Sequence, residues 1–372
     1  MSKRSVTADY AYNEKLAHTG VEESNRVKKK LLNIAFLVIV FALTLWSVLY
    51  GQDLDQLVMY LADYRMIFLI PSLVCVLIFI LGESAIFYVM FRAVGIEVKK
   101  THCALFSFVG FFYCAITPSA SGGQPMQLIA MHKVGIPAAI ATVVLAVVTI
   151  VYKMVLVILG AVVLIIRPAS VMAYLQPTMW LVYLGMALNV VFIALLLVVV
   201  FRPNVVRRFA DWGLRTINRF RPFKDLPKQQ QRVEGFCAQY AGTSTFIATH
   251  GLLVLKVFLI TFVQRWALFV VTWLTYAAFS LGYDYFWLTT TLQGMISVSV
   301  DMLPLPGGMG VSENMFLVIF RDIFGPDKVL AGMVVSRGLS YYIQLLICAV
   351  MTVVASLVFK REEKKRNVGI TG

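Results

Sequence analysis

Seven ionisable residues stand inside long apolar stretches of this sequence: Glu83, Lys153, Lys256, Arg265, Asp301, Glu313 and Arg337. A charge at the centre of a bilayer costs about 3 kcal/mol even on lenient insertion scales, so such residues serve ion pairs or a charged ligand. Four of the seven are basic and three acidic, a balance that suits binding of an anion. Lys153 and Arg337 lie well inside their stretches and are predicted to line one cavity. There they would pair with a phosphate or with Glu83, Asp301 or Glu313. Arg265 lies fourteen residues into its stretch and cannot easily reach the membrane surface, whereas Lys256 is close enough to one end to snorkel. Asp301 precedes a helix break, and Glu313 follows one, where it would serve equally as a helix cap or as a ligand-facing group. Gln124, Gln127 and Gln293 are neutral polar candidates nearby. For every pair of charges, a structural salt bridge between helices stays open as the alternative.

Two breaks position these residues. One reads Thr117-Pro118-Ser119-Ala120-Ser121-Gly122-Gly123-Gln124-Pro125, the other Leu303-Pro304-Leu305-Pro306-Gly307-Gly308-Met309-Gly310. Proline removes a backbone donor, and glycine permits positive φ and close approach. Irregular backbone at membrane depth is tolerated only inside protein or against a wet cavity. A loop followed by a fresh helix presents free N–H groups and a partial positive charge, so both breaks are expected to offer an anion site. Aligning the Gly-Gly pairs gives an offset of 185 residues, at which Lys153 falls one residue from Arg337. The stretches before the breaks, 66–91 and 251–279, also overlap.

The elements carrying the breaks are membrane helices. Of 372 residues, 60% are apolar and 14% charged, with a mean hydropathy of +0.81. That composition excludes a soluble enzyme, a disordered regulator and a disulfide scaffold. The apolar runs are continuous, which excludes the alternating pattern of an outer-membrane barrel. Full spans are predicted at 31–50, 66–91, 138–166, 179–201, 251–279 and 330–358, with broken hairpins at 103–131 and 286–324. With both termini cytoplasmic, segments 1–30, 92–102, 132–137, 202–250 and 359–372 hold 25 of the 33 Lys and Arg residues, as the positive-inside bias requires. The hairpins then enter from opposite faces, which makes the halves an inverted-topology repeat, an arrangement of many secondary transporters. The expected fold is thus all-α and polytopic: a tail 1–30, a first membrane half 31–201, a basic segment 202–250, a second half 251–358 and a tail 359–372.

The net charge is +14, and nine basic residues fall in 202–250. Within 204–220, Val205, Val206, Phe209, Trp212, Ile217 and Phe220 recur at helical spacing beside Arg207, Arg208, Arg215 and Arg219. This reads as an amphipathic helix on an anionic membrane surface, ended by Arg221-Pro222, with a weaker helix at 229–248. Nucleic acid is not an expected partner. The five cysteines are scattered, and His102 and His132 have no companions at metal spacing, so neither metal site nor disulfide is expected. No cofactor motif and no hydrolytic motif is present.

The TPSASGGQP and LPLPGGMGVSE loops, with the long helices that follow them, resemble the lysylphosphatidylglycerol synthase transmembrane-region family, the flippase-like domain of the bacterial multiple peptide resistance factor. The resemblance covers about 31–358. It carries Pro118, Gly122, Gly123 and Pro125, then Pro304, Pro306, Gly307, Gly308, Gly310 and Glu313, as loop-motif positions. It implies a bacterial cell-membrane protein that moves an aminoacylated or similar phospholipid between leaflets, a chemistry tied to antibiotic resistance. In the full-length factor a soluble domain transfers lysine to phosphatidylglycerol. This sequence ends fourteen residues after its last predicted span, so transport rather than catalysis is expected. The alternatives are a membrane component acting with a separate transferase, and a small-ion or solute carrier. Homo-oligomerisation is left open.

Overall fold

Without water to bind its polar groups, a continuous apolar chain satisfies its backbone by coiling into helix. The computed structural model describes residues 59–220 and 226–370, and every regular element among them is helical. The chain is an all-α polytopic membrane protein. Five helical runs are long and apolar enough to cross a bilayer: Met66–Ala93, Ala138–Ile166, Ala169–Phe201, Gly251–Ala278 and Val329–Lys364. The expected span 31–50, the tail 1–30 and Arg221-Pro222 lie outside the described residues.

In chain order the helices are α1 Leu69–Ala93, α2 Lys100–Ile116, α3 Gly123–Lys133, α4 Ala138–Ile166, α5 Ala169–Leu175, α6 Met179–Phe201 and α7 Pro203–Phe220. They continue as α8 Leu226–Thr249, α9 Gly251–Ala278, α10 Phe286–Val300, α11 Val311–Ile319, α12 Arg321–Phe324, α13 Val329–Arg337 and α14 Gln344–Ile370. The outward faces are apolar: Ile70, Val74 and Leu77 on α1, Leu255 and Leu259 on α9, and Val350, Val353 and Leu357 on α14 are all exposed. Inside, small hydroxyl side chains bond back to their own helix. Ser72 donates to the Phe68 carbonyl, Thr261 to Val257 and Thr275 to Val271, so their burial costs little.

The central pair is α1 and α9, and they run antiparallel. Tyr64 meets Phe279 edge-on at 5.7 Å, the Arg65 N–H donates to the Ala278 carbonyl at 3.1 Å, and Gln264 Nε2 donates to the Phe79 carbonyl at 2.8 Å. Fourteen residues forward on the first chain segment, from Arg65 to Phe79, match fourteen backward on the second, from Ala278 to Gln264. Because α2 follows α1 and α10 follows α9 after short turns, the two hairpins start from opposite ends of the bundle. The first is α2, a 3-10 turn at Pro118–Ala120, and α3. The second is α10, a 3-10 turn at Pro306–Gly308, and α11. Their tips pack on each other. The Tyr341 hydroxyl, in the turn Gly338–Ile343 beyond α13, donates to the Ala115 carbonyl near the end of α2 at 3.0 Å. Packing is reciprocal: α3 lies on α4 and α11 on α13, while α2 packs on α14 and α10 on α4.

The two glycine loops use their glycines differently. In the second, Gly307, Gly308 and Gly310 have φ of +57°, +66° and +84°, which an L side chain resists. In the first, Gly122 has φ −82°, and space is what matters. A Cβ on Gly122 would meet Thr117 Cγ2 at 2.6 Å, and one on Gly123 would meet Cys114 Sγ at 2.2 Å. The expectation of positive φ at glycine thus holds for only one loop; in the first, the left-handed residue is Ala120, at φ +53°.

Other boundaries shift as well. The helical run expected at 330–358 extends from Val329 to Ile370, so the residues assigned to a tail continue α14. It is interrupted just after Arg337 by a π-turn at Gly338–Ile343. Helix α7 covers the segment expected at 204–220, and α8 that at 229–248.

Gly185 on α6 lies against the backbone of α10, where an added Cβ would sit 2.4 Å from the Val298 carbonyl oxygen. Gly185→Ala should therefore destabilise the protein by roughly 1–3 kcal/mol, since backbone cannot yield as a flexible side chain does. Gly242→Ala on α8, where nothing lies within 4 Å, should be neutral or mildly stabilising. Denaturation of the purified variants in detergent measures both.

Candidate functional site

Where the hairpin tips meet, the charged residues gather. Asp301 follows the last residue of α10, a helix end at which a carboxylate is disfavoured by the backbone dipoles. Two cations compensate. Lys153 on α4 makes an ion pair with Asp301 Oδ2, and its Nζ also reaches Met302 Sδ at 3.0 Å. Arg265 on α9 approaches Asp301 Oδ1 at 3.6 Å. Its guanidinium lies over the Tyr152 ring at 3.9 Å, and Nη1 donates to the Tyr152 hydroxyl. Arg265 is only 4% exposed. Its Nε and Nη2 are buried and have no hydrogen-bond partner among the described residues. A buried donor left unpaired is costly, more so when it is charged.

A second pair lies beside the first. Arg337 Nε donates to Glu313 Oε1 at 2.8 Å, and Nη2 to the Gly307 carbonyl at 3.1 Å. The other Glu313 oxygen accepts from the Gly310 N–H at 2.7 Å and from Ser312 Oγ at 3.0 Å. Glu313 thus caps α11 and neutralises Arg337 together. The expectation that this helix start would receive an external anion is corrected: the protein's own carboxylate occupies it.

Two cavities adjoin these pairs. One, of about 170 Å³, is lined by Arg265, Gln293, Ser297, Arg337, Tyr341 and Gln344. The other, of about 250 Å³, is lined by Glu83, Gln124, Gln127, Thr149 and Lys153. Tyr152 and Asp301 line both. Lys153 and Arg337, expected in one cavity, therefore face neighbouring ones, because each is drawn to its own carboxylate. Glu83 joins neither ion pair; Gln127 Nε2 donates to it and also to the Phe106 carbonyl. Gln124 Nε2 donates to Thr149 Oγ1 at 3.3 Å. Gln293 accepts from Thr272 at 3.1 Å. Lys256 is exposed near the start of α9, as a snorkelling residue would be. His102 is buried edge-on against Phe359. Among the described residues no group of three or more His, Cys, Asp or Glu side chains is placed to hold a metal.

Of the loop positions, Gly307 lets the hairpin tip lie against Tyr341, whose ring a Cβ would strike at 2.1 Å. Pro118 and Pro306 open the two 3-10 turns. Pro125 lies in the first turn of α3, where a missing N–H is harmless. Pro304 stands in the irregular stretch between α10 and its 3-10 turn. Tyr152 and Tyr341 were not singled out from sequence, yet a signal existed. At the 185-residue offset Tyr152 aligns with Arg337, and Tyr341 lies four residues beyond Arg337.

The family model for the lysylphosphatidylglycerol synthase TM region matches residues 32–348. The chain belongs to that family. The match spans both hairpins, both ion pairs and the cavities between them. Among curated proteins none matches. Membership in the lysylphosphatidylglycerol synthase TM family relates the chain to lysylphosphatidylglycerol handling and fits interaction with phospholipid.

Removing one partner of a buried pair strands the other. Glu313→Ala should lower stability by about 3 kcal/mol or more, whereas the double variant Glu313→Ala/Arg337→Met should cost less than the two single losses together. A double-mutant cycle of denaturation in detergent reads the difference, and simple additivity would show that the pair is not coupled.

Proposed function

We propose that this protein moves a phospholipid between leaflets. The headgroup passes through the cavities at the hairpin tips, and the acyl chains stay in lipid. One observation carries the reading: the buried Arg265 guanidinium holds two nitrogens free of hydrogen bonds beside a cavity. A phosphodiester presents oxygens that such a fork binds in bidentate fashion. Asp301 cannot neutralise Lys153 and Arg265 together, so the cluster keeps a positive charge that one phosphodiester would balance. An apolar groove of about 540 Å³ between α1 and α9, lined by Val74, Leu77, Ile78, Leu259 and Val263, suits an acyl chain outside the bundle. That groove, with the family's description, favours lipid over a soluble ion. An aminoacylated phosphatidylglycerol in a bacterial plasma membrane is the substrate and setting we favour, with both termini cytoplasmic.

The two hairpin units read as an inverted repeat, whose rocking would expose the cavities alternately. In a two-fold arrangement, equivalent positions meet where the axis passes. Phe79 and Gln264 touch at the centre of the antiparallel pair, and they are 185 residues apart, the offset of the Gly-Gly loops. The reciprocal packing of α2 on α14 and α10 on α4 fits the same axis.

The family description also favours a second reading, a membrane component that acts beside a separate lysyl transferase. Lysyl transfer appearing only when such an enzyme is added, with no lipid movement by the chain alone, would select it.

Fluorescent phospholipids in proteoliposomes, quenched from outside by dithionite, test the first. Wild type should expose inner-leaflet lipid faster than empty vesicles. Arg265→Gln should slow this about tenfold or more, the worth of a charged hydrogen bond. A folded wild type that accelerates no headgroup ends the proposal.

A further inference from the structure

Among the described residues, Glu83 is the one acidic side chain lining the cavities that neither ion pair uses. It is 9% exposed on α1, and a neutral amide, Gln127 Nε2, donates to it. Gln127 is itself held by the Phe106 carbonyl, and Gly110 opposite makes room for it, since a Cβ there would meet Nε2 at 1.9 Å. A dedicated pocket on α2 thus fixes an amide against a carboxyl group. The charged and titratable groups facing the same space are Cys114 on α2, Tyr152 and Lys153 on α4, and Asp301 beyond α10; Cys348 on α14 also lies within electrostatic range. The basic groups here, Lys153 and Arg265, are the ones that Asp301 already partly neutralises. No cation among the described residues pairs directly with Glu83.

A carboxylate buried without a cation is expensive, whereas a carboxylic acid or a carboxylate facing uncompensated positive charge is not. The surplus positive charge of the Lys153, Arg265 and Asp301 cluster can therefore be balanced in two ways. A bound anion can supply the negative charge, or Glu83 can supply it by releasing its proton. Both together would leave the buried site negative.

We infer that Glu83 couples transport to protons: it takes up a proton when an anionic headgroup enters the cavities and releases it when the headgroup leaves. The inference rests on the transport reading above and adds its energy source. Headgroup and proton then cross together, so the phosphodiester charge moves neutralised: phosphatidylglycerol crosses with no net charge, and an aminoacylated form with only its ammonium charge. The proton comes from solution on the loading side, resides on a Glu83 carboxyl oxygen and returns to solution on the unloading side. By linkage, the anion strengthens proton binding by the factor by which the proton strengthens anion binding.

The test uses the full chain in proteoliposomes with fluorescent phosphatidylglycerol, an anionic probe, and an imposed pH difference. With an acidic lumen, wild type should shift probe toward the outer, alkaline-side leaflet, and reversing the gradient should reverse the shift. Glu83→Gln keeps the side-chain shape and an acceptor for Gln127 but cannot exchange a proton, so it should show no response to the gradient. Wild type that moves the probe yet ignores the gradient, or Glu83→Gln that still follows it, overturns the inference and leaves the transport proposal standing. Wild type that moves neither this probe nor a phospholipid of any other headgroup defeats the transport reading instead. Proton uptake then decides Glu83 separately, on adding short-chain phosphatidylglycerol to detergent-solubilised protein in weak buffer with a pH dye. About one proton per bound lipid in wild type and none in Glu83→Gln supports the coupling. No uptake in wild type, or equal uptake in both, removes it.

Discussion

One carboxylate shared by two cations organises the centre of this protein. Asp301 sits where a helix end repels it, and Lys153 and Arg265 converge from two other helices to hold it there. Each group alone would be costly in a low-dielectric interior, and each is tolerated because the others are present. The sharing is unequal. Lys153 is closely paired, while Arg265 stands back and spends part of its fork on Tyr152. An incomplete pairing of this kind leaves the protein with a preorganised claim on one further negative group. The neighbouring Arg337–Glu313 pair is the contrast: Glu313 accepts from three groups, Arg337 donates to two, and little is left for a ligand.

Much of this was legible in the sequence, for reasons that can be named. Long apolar runs dictate helices, and proline and glycine within them mark where helices stop, so the two hairpins followed from residue types alone. Charges inside such runs marked seven candidates, of which Lys153, Arg265, Asp301, Glu313 and Arg337 gather at the hairpin tips while Glu83 and Lys256 join neither ion pair. What sequence could not supply was pairing. Partner choice between Lys153 and three carboxylates depends on helix rotation, which spacing along one chain does not fix. The same ignorance placed Lys153 and Arg337 in one cavity. The self-capping role of Glu313 was visible as an alternative, because an acid three residues past a glycine break matches a capping box. Tyr152 was missed because an aromatic residue in an apolar helix reads as ordinary packing.

The first hairpin teaches a separate lesson about glycine. Identical Gly-Gly pairs suggest identical backbone, yet the glycines of one loop take left-handed conformations, while those of the other leave room for Thr117 and Cys114 and the left-handed position falls on Ala120. A matched motif thus reports a shared need for a missing side chain, and the physical reason behind that need can differ between two copies.

The π-turn after Arg337 has a geometric consequence. A π-turn closes over one more residue than an α-turn, so everything beyond it is advanced by about 100° of helical phase. In α14 that phase brings Cys348, Ala355 and Phe359 onto the buried side, with Phe359 stacked 5.4 Å from Phe106 on α2. Ironing the bulge flat would swing this stripe outward into the surrounding medium while leaving Arg337 in place. The single surplus residue is therefore a phase adjuster, allowing one polypeptide rod to satisfy a polar appointment at its start and a greasy one farther along.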